Sequence, residues 1–233
     1  MTTVVLTSEH EMKSARKLGY PVTMHHGELE EESTLKVIRW GNGYGREFRK
    51  TLNKGSCIAL NVDKPAALEK MAEVVQTPAV FTGRVPRGLK VVIRPMTHSM
   101  GEDFRVVTGP TTVPSGYYAK EWIESTKEYR CWFANGRTLA AKRVPMPDST
   151  EEANPCRSKW GYSFIDSDGA PKLRTETLAA ARAMGLDFGA SDVIWSQDDE
   201  KYFFLEMNTA PSLDHDKVLS FFQTNLKAML TAL

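Results

Sequence analysis

The sequence predicts an α+β protein whose strand-and-helix lobes enclose a cleft. Three observations predict it. Strand-like runs are interrupted by helices, and most of the pairings they suggest are antiparallel. Glu128–Ala134 and Arg137–Val144 read as a hairpin joined by Asn135-Gly136, the dipeptide favoured in two-residue type I′ turns. Near the end, the apolar run Tyr202-Phe203-Phe204-Leu205 delivers Glu206 and, two residues on, Asn208, so period-2 alternation puts both on one face. Asp192 lies upstream in Ser191-Asp192-Val193-Ile194-Trp195, and a polar turn from Gln197 to Glu200 would fold the two runs together with Asp192 beside Glu206.

The elements follow in order. Val4–Leu6 reads as a strand, Met12–Leu18 as a short helix ended by Gly19, Leu35–Trp40 as a second strand and Cys57–Asn61 as a third. Gly41-Asn42-Gly43-Tyr44-Gly45 lacks GxGxxG spacing and reads as a turn or a substrate-facing loop. Asp63 caps a helix with Pro65 in its first turn and Leu68, Met71, Ala72 and Val75 as its apolar stripe. Lys90–Arg94 and Phe104–Thr108 pair around the loop 95–103, and Tyr117–Ile123 is extended. Pro145 to Gly161, rich in Pro, Asp and Glu, reads as a mobile loop. Thr175–Met184 is a helix closed by Gly185. A terminal helix capped by Asp214 presents Val218, Leu219, Phe222, Leu226, Met229, Leu230 and Leu233 to the sheet.

Composition excludes several function classes. At 233 residues the chain can bury a real core. A net charge of +1, with Lys and Arg dispersed, carries no signal for nucleic acid or a membrane surface. Cys57, Cys131 and Cys156 form no CxxC pair, so neither a disulfide framework nor a zinc knuckle is indicated. Met1–Leu6 is too short for a signal h-region and no run approaches a membrane span, so a cytoplasmic protein is expected. His25-His26 lacks a second cluster at ligand spacing and reads as an exposed turn. Asp192, Glu206 and Asn208 are different: two carboxylates and a carboxamide on adjacent strands are hard oxygen donors, suited to Mg²⁺ with positions left for water and phosphate.

Glu206-x-Asn208-x-x-Pro211 after an Asp-bearing strand resembles the metal-binding end of the ATP-grasp superfamily. Glu121-Trp122-Ile123, Glu128-Tyr129-Arg130, Lys142-Arg143 and Gly185-Leu186-Asp187 follow, in order, the layout of its carboxylate–amine ligases. The resemblance is nearest to those that add glutamate to ribosomal protein or to small acidic peptides, and it spans roughly Asn61 to Asp214. Its strongest part is the Asp…Glu-x-Asn ending; the middle motifs persuade through their order.

The resemblance implies an ATP-grasp fold with a reduced N-terminal lobe (1–62), a middle lobe bearing a phosphate flap (63–120) and a C-terminal lobe bearing the metal site (121–233). It implies ATP and one or two Mg²⁺ ions, or Mn²⁺ in their place, held by Asp192, Glu206 and Asn208. Arg94 stands where the family commonly has a phosphate-binding lysine, and an arginine there is not an equivalent group. Lys64 falls where a second nucleotide-side cation often lies, or is simply a solvated first-turn residue. Ser99, Met100 and Gly101 would offer flap N–H groups, although the flap has fewer glycines than is usual. Glu121-Trp122-Ile123 would be the hinge that reads adenine, with Trp122 alternatively an ordinary core residue, and Glu128 would contact ribose. Arg130 and Arg143 would hold the transferred phosphoryl group, with further contacts from Asn154, Arg157, Ser158, Lys159 and Trp160.

The implied reaction joins a carboxylate substrate to an amine acceptor, small molecule, peptide or protein, through an acyl phosphate. A kinase on the same scaffold, phosphorylating an alcohol, ranks second because Lys and Arg are scattered along the chain. A non-catalytic nucleotide-binding module is the third reading.

Overall fold

The first layer is a parallel sheet made of β1 (Thr3–Thr7), β2 (Val22–Thr23), β3 (Lys36–Trp40) and β4 (Thr51–Leu52), in the order β2-β1-β3-β4. The computed structural model describes residues 2–25, 27, 29, 34–96, 104–125, 127–145 and 160–233. α1 (Met12–Lys17) follows β1, and α2 (Gly55–Val62) follows β4. The strand expected over Cys57–Asn61 is thus a helix. Its buried residues Gly55, Ile58 and Asn61 recur every third position, a helical spacing that the short apolar run disguised. α3 (Lys64–Ala72) follows at once, with the Asp63 carboxylate accepting from Ala66 N–H at 3.1 Å as expected.

The middle sheet contains β5 (Val80–Phe81), β7 (Lys90–Pro95), β8 (Arg105–Thr108) and β10 (Tyr117–Glu121), all antiparallel in the order β5-β10-β7-β8. A small ribbon, β6 (Arg84–Val85) with β9 (Thr111–Thr112), caps one end. One face of this sheet is apolar: Val91, Ile93 and Ala119 pack there with Val85 and Val113.

The largest sheet comprises β11 (Lys127–Ala134), β12 (Arg137–Pro145), β13 (Trp160–Ile165), β14 (Phe188–Ser196) and β15 (Lys201–Asn208), ordered β13-β12-β11-β14-β15 and antiparallel throughout. The Asn135-Gly136 turn has both residues at positive φ (53° and 68°), as a type I′ turn requires. β13 is an addition to the sequence reading, which ran the preceding loop to Gly161; 146–159 lie outside the described residues. α4 (Pro171–Ala183) and α5 (Asp216–Ala232) complete the chain. The cap of α5 is His215, whose Nδ1 accepts from Lys217 N–H at 3.2 Å, and not Asp214. The Asp214 carboxylate is already taken by Lys17 Nζ at 2.6 Å and by the Ser212 hydroxyl.

Each face of the large sheet has its own partner. Cys131, Phe133, Ala140, Val193, Phe204 and Met207 pack under α3 and α4, against Leu68, Met71, Leu173 and Ala180. On the other face Trp132, Ala141, Phe188 and Ala190 join α5 and the first sheet, where Trp40 stacks on Phe188 at 5.3 Å. The predicted α5 stripe supplies Val218, Phe222, Leu226 and Leu230 to this core, while Leu233 stays exposed. Farther along that second face, Asp192 and Glu206 lie within electrostatic range of Lys120 on the middle sheet.

Gly189 on β14 is a close-approach position. A Cβ built there would lie 2.5 Å from the Asn208 carbonyl oxygen and 2.9 Å from the Phe133 ring. Gly189→Ala is therefore expected to cost about 1–3 kcal/mol in urea denaturation. Gly83→Ala, with nothing within 4 Å of its Cβ position, should stay within about 0.5 kcal/mol of wild type. Equal melting of the two variants would contradict this packing.

Candidate active site

β14 and β15 bring Asp192 opposite Glu206 and Ala190 opposite Asn208, as the hairpin reading anticipated. The register shifts between Asp192 and Val193, because Val193 pairs with Phe204 and Leu205 is the extra residue of a β-bulge. The bulge decides the chemistry. Tyr202 and Phe204 point into the core beneath the sheet, so unbroken alternation would send Glu206 after them. With one residue inserted, Met207 takes the core position, and Glu206 and Asn208 turn to the open face beside Asp192.

Two asparagines hold this hairpin from outside the sheet. Asn61 on α2 donates from Nδ2 to the Met207 carbonyl at 2.9 Å, between the two candidate ligands. Asn53, at φ 59°, exchanges bonds with Asp187 and donates to the Phe188 carbonyl at 3.0 Å, fixing the start of β14. Neither stood out in the sequence; Asn61 was hidden by its assignment to a strand.

Arg130 on β11 pairs across the sheet with Asp192 and forks onto it: Nε donates to Oδ1 and Nη2 to Oδ2, both at 2.7 Å. Its Nη1 reaches the Tyr162 hydroxyl at 3.2 Å. Asn208 Nδ2 also donates to Asp192 Oδ2, at 3.0 Å. Arg143 on β12 lies 3.2 Å from Glu128 Oε1 and 3.7 Å from Asp192 Oδ1. Lys64, in the first turn of α3, lies 3.9 Å from Glu206. Burial alone would raise the Asp192 carboxyl, but the Arg130 charge and hydrogen bonds, with Arg143 behind them, hold it well below the usual carboxylate range. The same carboxylate keeps Arg130 charged against its own burial.

The opposite wall is the polar face of the middle sheet. Arg94 and Tyr118 are cross-strand partners there, and alternation along β10 places Lys120 on the same face. At the end of β10, Glu121 N–H donates to the Ala79 carbonyl and Trp122 N–H to the Lys90 carbonyl, both within 2.9 Å. The Ala79 N–H goes to the Glu121 carboxylate at 3.2 Å instead of to its carbonyl. Trp122 carries Lys90 over its ring at 4.5 Å, and Lys90 is paired with Glu124 at 2.7 Å. Glu128, expected at a ribose, stands in the ion pair with Arg143. Ser99, Met100 and Gly101, with His98, lie outside the described residues, as do His26, Asn154, Arg157, Ser158 and Lys159.

The Gly41–Gly45 segment is a turn folded over Arg39. That fully buried guanidinium donates to the carbonyls of Asn42 (3.1 Å), Tyr44 (2.9 Å) and Arg46. A Cβ on Gly41 would meet Ala210 Cβ at 2.9 Å, so this turn abuts the residues just past Asn208.

No family model matches the sequence, and no curated protein matches it at significance. Solved structures do match. The macrocyclase MdnC from Microcystis aeruginosa, bound to precursor peptide MdnA, superimposes with a TM-score of 0.61 at 13% identity, covering 100% of both chains. The ATP-grasp ligase PsnB with a minimal precursor gives 0.67 at 12% identity over 98% of this chain and 99% of the other. D-alanine–D-alanine ligase from Bacillus anthracis with ATP gives 0.67 at 11%, over 99% and 96%. The chain has the ATP-grasp fold. Among the described residues no helix is long and apolar enough to cross a membrane.

The donor set fits Mg²⁺. Two carboxylates and one carboxamide are too few to enclose an ion, which leaves most of the coordination shell to phosphate and water. With Nδ2 given to Asp192, the Asn208 oxygen is the end left for a cation. An ion reaching Asp192 must share it with the Arg130 fork or displace that fork.

Arg130→Met should leave a buried carboxylate with the Asn208 amide and one more distant cation, Arg143, costing about 3–5 kcal/mol in urea denaturation. Adding Asp192→Asn should recover most of that loss; additive losses would contradict the pairing. A depressed carboxyl contributes stability above the ordinary aspartate value, lost only as pH falls through its lower folded value. The unfolded aspartate is common to both chains, so the gap between wild type and Arg130→Met should narrow as pH falls through the Asp192 value of the variant, which the loss of Arg130 raises above that of wild type; a gap unchanged down to about pH 3 would contradict the pairing.

Proposed function

We propose that this protein is an ATP-dependent carboxylate–amine ligase that forms an amide through an acyl phosphate, releasing ADP and phosphate. The observation that carries the reading is the arrangement across the cleft. Asp192, Glu206 and Asn208 share one face with Arg130 and Arg143, Lys64 reaches Glu206 from α3, and Arg94 acts in the same electrostatic neighbourhood as Glu206 and Asp192. Lys64 and Arg94 would hold the triphosphate, and Ser99, Met100 and Gly101, outside the described residues, would add backbone N–H contacts. The Glu121 carbonyl and Ile123 N–H would meet the adenine edge, since the Glu121 and Trp122 N–H groups are already spent within the fold. Trp122 would flank the ring and Glu128 would reach ribose.

Asp192, Glu206 and Asn208 would hold one or two Mg²⁺ ions, which neutralise phosphate charge when bound. The substrate carboxylate attacks the γ-phosphorus; the γ-phosphoryl group leaves ADP and is received as an acyl phosphate. The amine then displaces inorganic phosphate. No protein nucleophile is needed, and catalysis consists of positioning and charge stabilisation by Arg130 and Arg143. Arg130 is prepared for this by Asp192, which holds the Nε–Nη2 edge of its guanidinium, and by Tyr162, which accepts from Nη1. MdnC and PsnB were solved with precursor peptides, which favours a peptide or protein as substrate here.

A kinase on the same scaffold is the second reading, because basic residues scattered in the sequence do converge on this cleft. It ranks lower because PsnB and D-alanine–D-alanine ligase, two of the solved structures that this chain resembles, are ligases. An ¹⁸O-labelled carboxylate substrate separates the two. Screening carboxylates and amines for stimulated ADP release from Mg·ATP supplies the pair; a ligase then transfers ¹⁸O to inorganic phosphate. Label retained in the carboxyl group, or a stable phosphorylated alcohol, would overturn the ligase assignment. In the same assay Glu206→Gln should abolish turnover with melting unchanged, and near-normal activity in the folded variant would end the metal assignment.

A further inference from the structure

Lys120 has no role in the reading above, yet its position is unusual. It sits on β10 between Ala119, whose side chain joins the apolar core of the middle sheet, and Glu121 of the hinge. Alternation sends Lys120 the other way, onto the face that carries Tyr118 and Arg94 and looks at the large sheet. The groups acting on its charge come from every wall of the cleft: Arg94 from β7, Lys64 from α3, Glu206 from β15 and Asp192 from β14. Lys90, further along the same face, is turned to Trp122 and Glu124. Tyr118 beside it supplies no negative charge, since burial pushes its hydroxyl up to about 12.

The two carboxylates near Lys120 are committed elsewhere. Asp192 is held by the Arg130 fork and Glu206 faces Lys64. Among the described residues, no carboxylate is ion-paired to Lys120. A lysine set among cations, in a half-buried place and with no counterion of its own, is a poor structural choice and a good anion site.

We propose that Lys120 is a third phosphate-binding cation of the nucleotide site, acting with Lys64 and Arg94 on the polyphosphate. The inference rests on the nucleotide reading and adds a residue and a proton linkage to it. Desolvation, helped by Arg94 and Lys64 and opposed by Glu206, pushes the Lys120 amine down to about 8. At pH 8 about half the molecules carry a neutral amine, and an arriving polyanion restores the charge by drawing a proton from solution. Nucleotide binding should therefore take up as much as about half a proton at pH 8, and progressively less as pH falls toward 6.

The test is calorimetric titration of the full chain with Mg·AMPPNP at pH 8, in buffers of different ionisation heat. Wild type should bind with net proton uptake. Lys120→Met should weaken binding by tenfold or more and abolish the uptake. Lys120→Arg should keep most of the affinity without the uptake, because its guanidinium never deprotonates. Inorganic tripolyphosphate should compete with AMPPNP less effectively on Lys120→Met than on wild type. Wild type that fails to bind Mg·AMPPNP would sink the nucleotide reading itself, and this proposal with it. Wild type that binds while Lys120→Met stays within twofold, or competes equally well with tripolyphosphate, would overturn the assignment of Lys120 alone. Melting of both variants checks that they fold, and Lys120→Arg decides the linkage should Lys120→Met prove unstable.

Discussion

Asp192 sits on an inner strand of the large sheet with Arg130 Nε and Nη2 both at 2.7 Å from its oxygens, and the rest of the cleft is arranged around that pair. Arg143 reaches the same carboxylate and ties it to Glu128; Asn208 donates to it from β15; Tyr162 steadies the far nitrogen of Arg130. A buried ion pair of this kind contributes little net stability, because desolvation offsets the attraction. What it supplies is alignment. The fork sets one register between β11 and β14 and leaves an arginine and a candidate metal ligand within reach of each other.

The remaining devices serve the same hairpin. The bulge at Leu205 changes which face Glu206 presents, and Gly189 lets the Asn208 backbone come within a distance that a side chain would forbid. Asn61 and Asn53 are hydrogen-bonded to β15 and β14 from the N-terminal segment. The first sheet and α5 then share a core with the large sheet through Trp40, Phe188 and Phe222. The N-terminal segment is thus a structural support of the site, with its glycine turn lying against Ala210 just beyond it.

Much of the fold was legible because local signals agreed with one another. Asn135-Gly136 could scarcely be anything but a tight turn, Asp63 with Pro65 announced a helix start, and the α5 stripe identified its buried face. Legibility failed where a short segment allowed two periods. Gly55–Val62 is apolar enough for a strand and became a helix because Gly55, Ile58 and Asn61 are buried at helical spacing. His215 displaced Asp214 as a cap because a lysine nearly two hundred positions away in sequence had claimed the aspartate.

The sequence by itself determined which groups exist and how closely neighbours on one strand are spaced. That is why Glu206 with Asn208, and Glu128 with Arg130, could be read as pairs sharing a face. Only the tertiary structure decided what those pairs meet. Arg130 on Asp192, Lys64 on Glu206, and Lys120 among Arg94 and Lys64 are contacts between segments distant in sequence. Their charges looked scattered along the chain because charge is encoded residue by residue. Electrostatic environment, by contrast, depends on distance and desolvation, which exist only once the sheets have closed on each other.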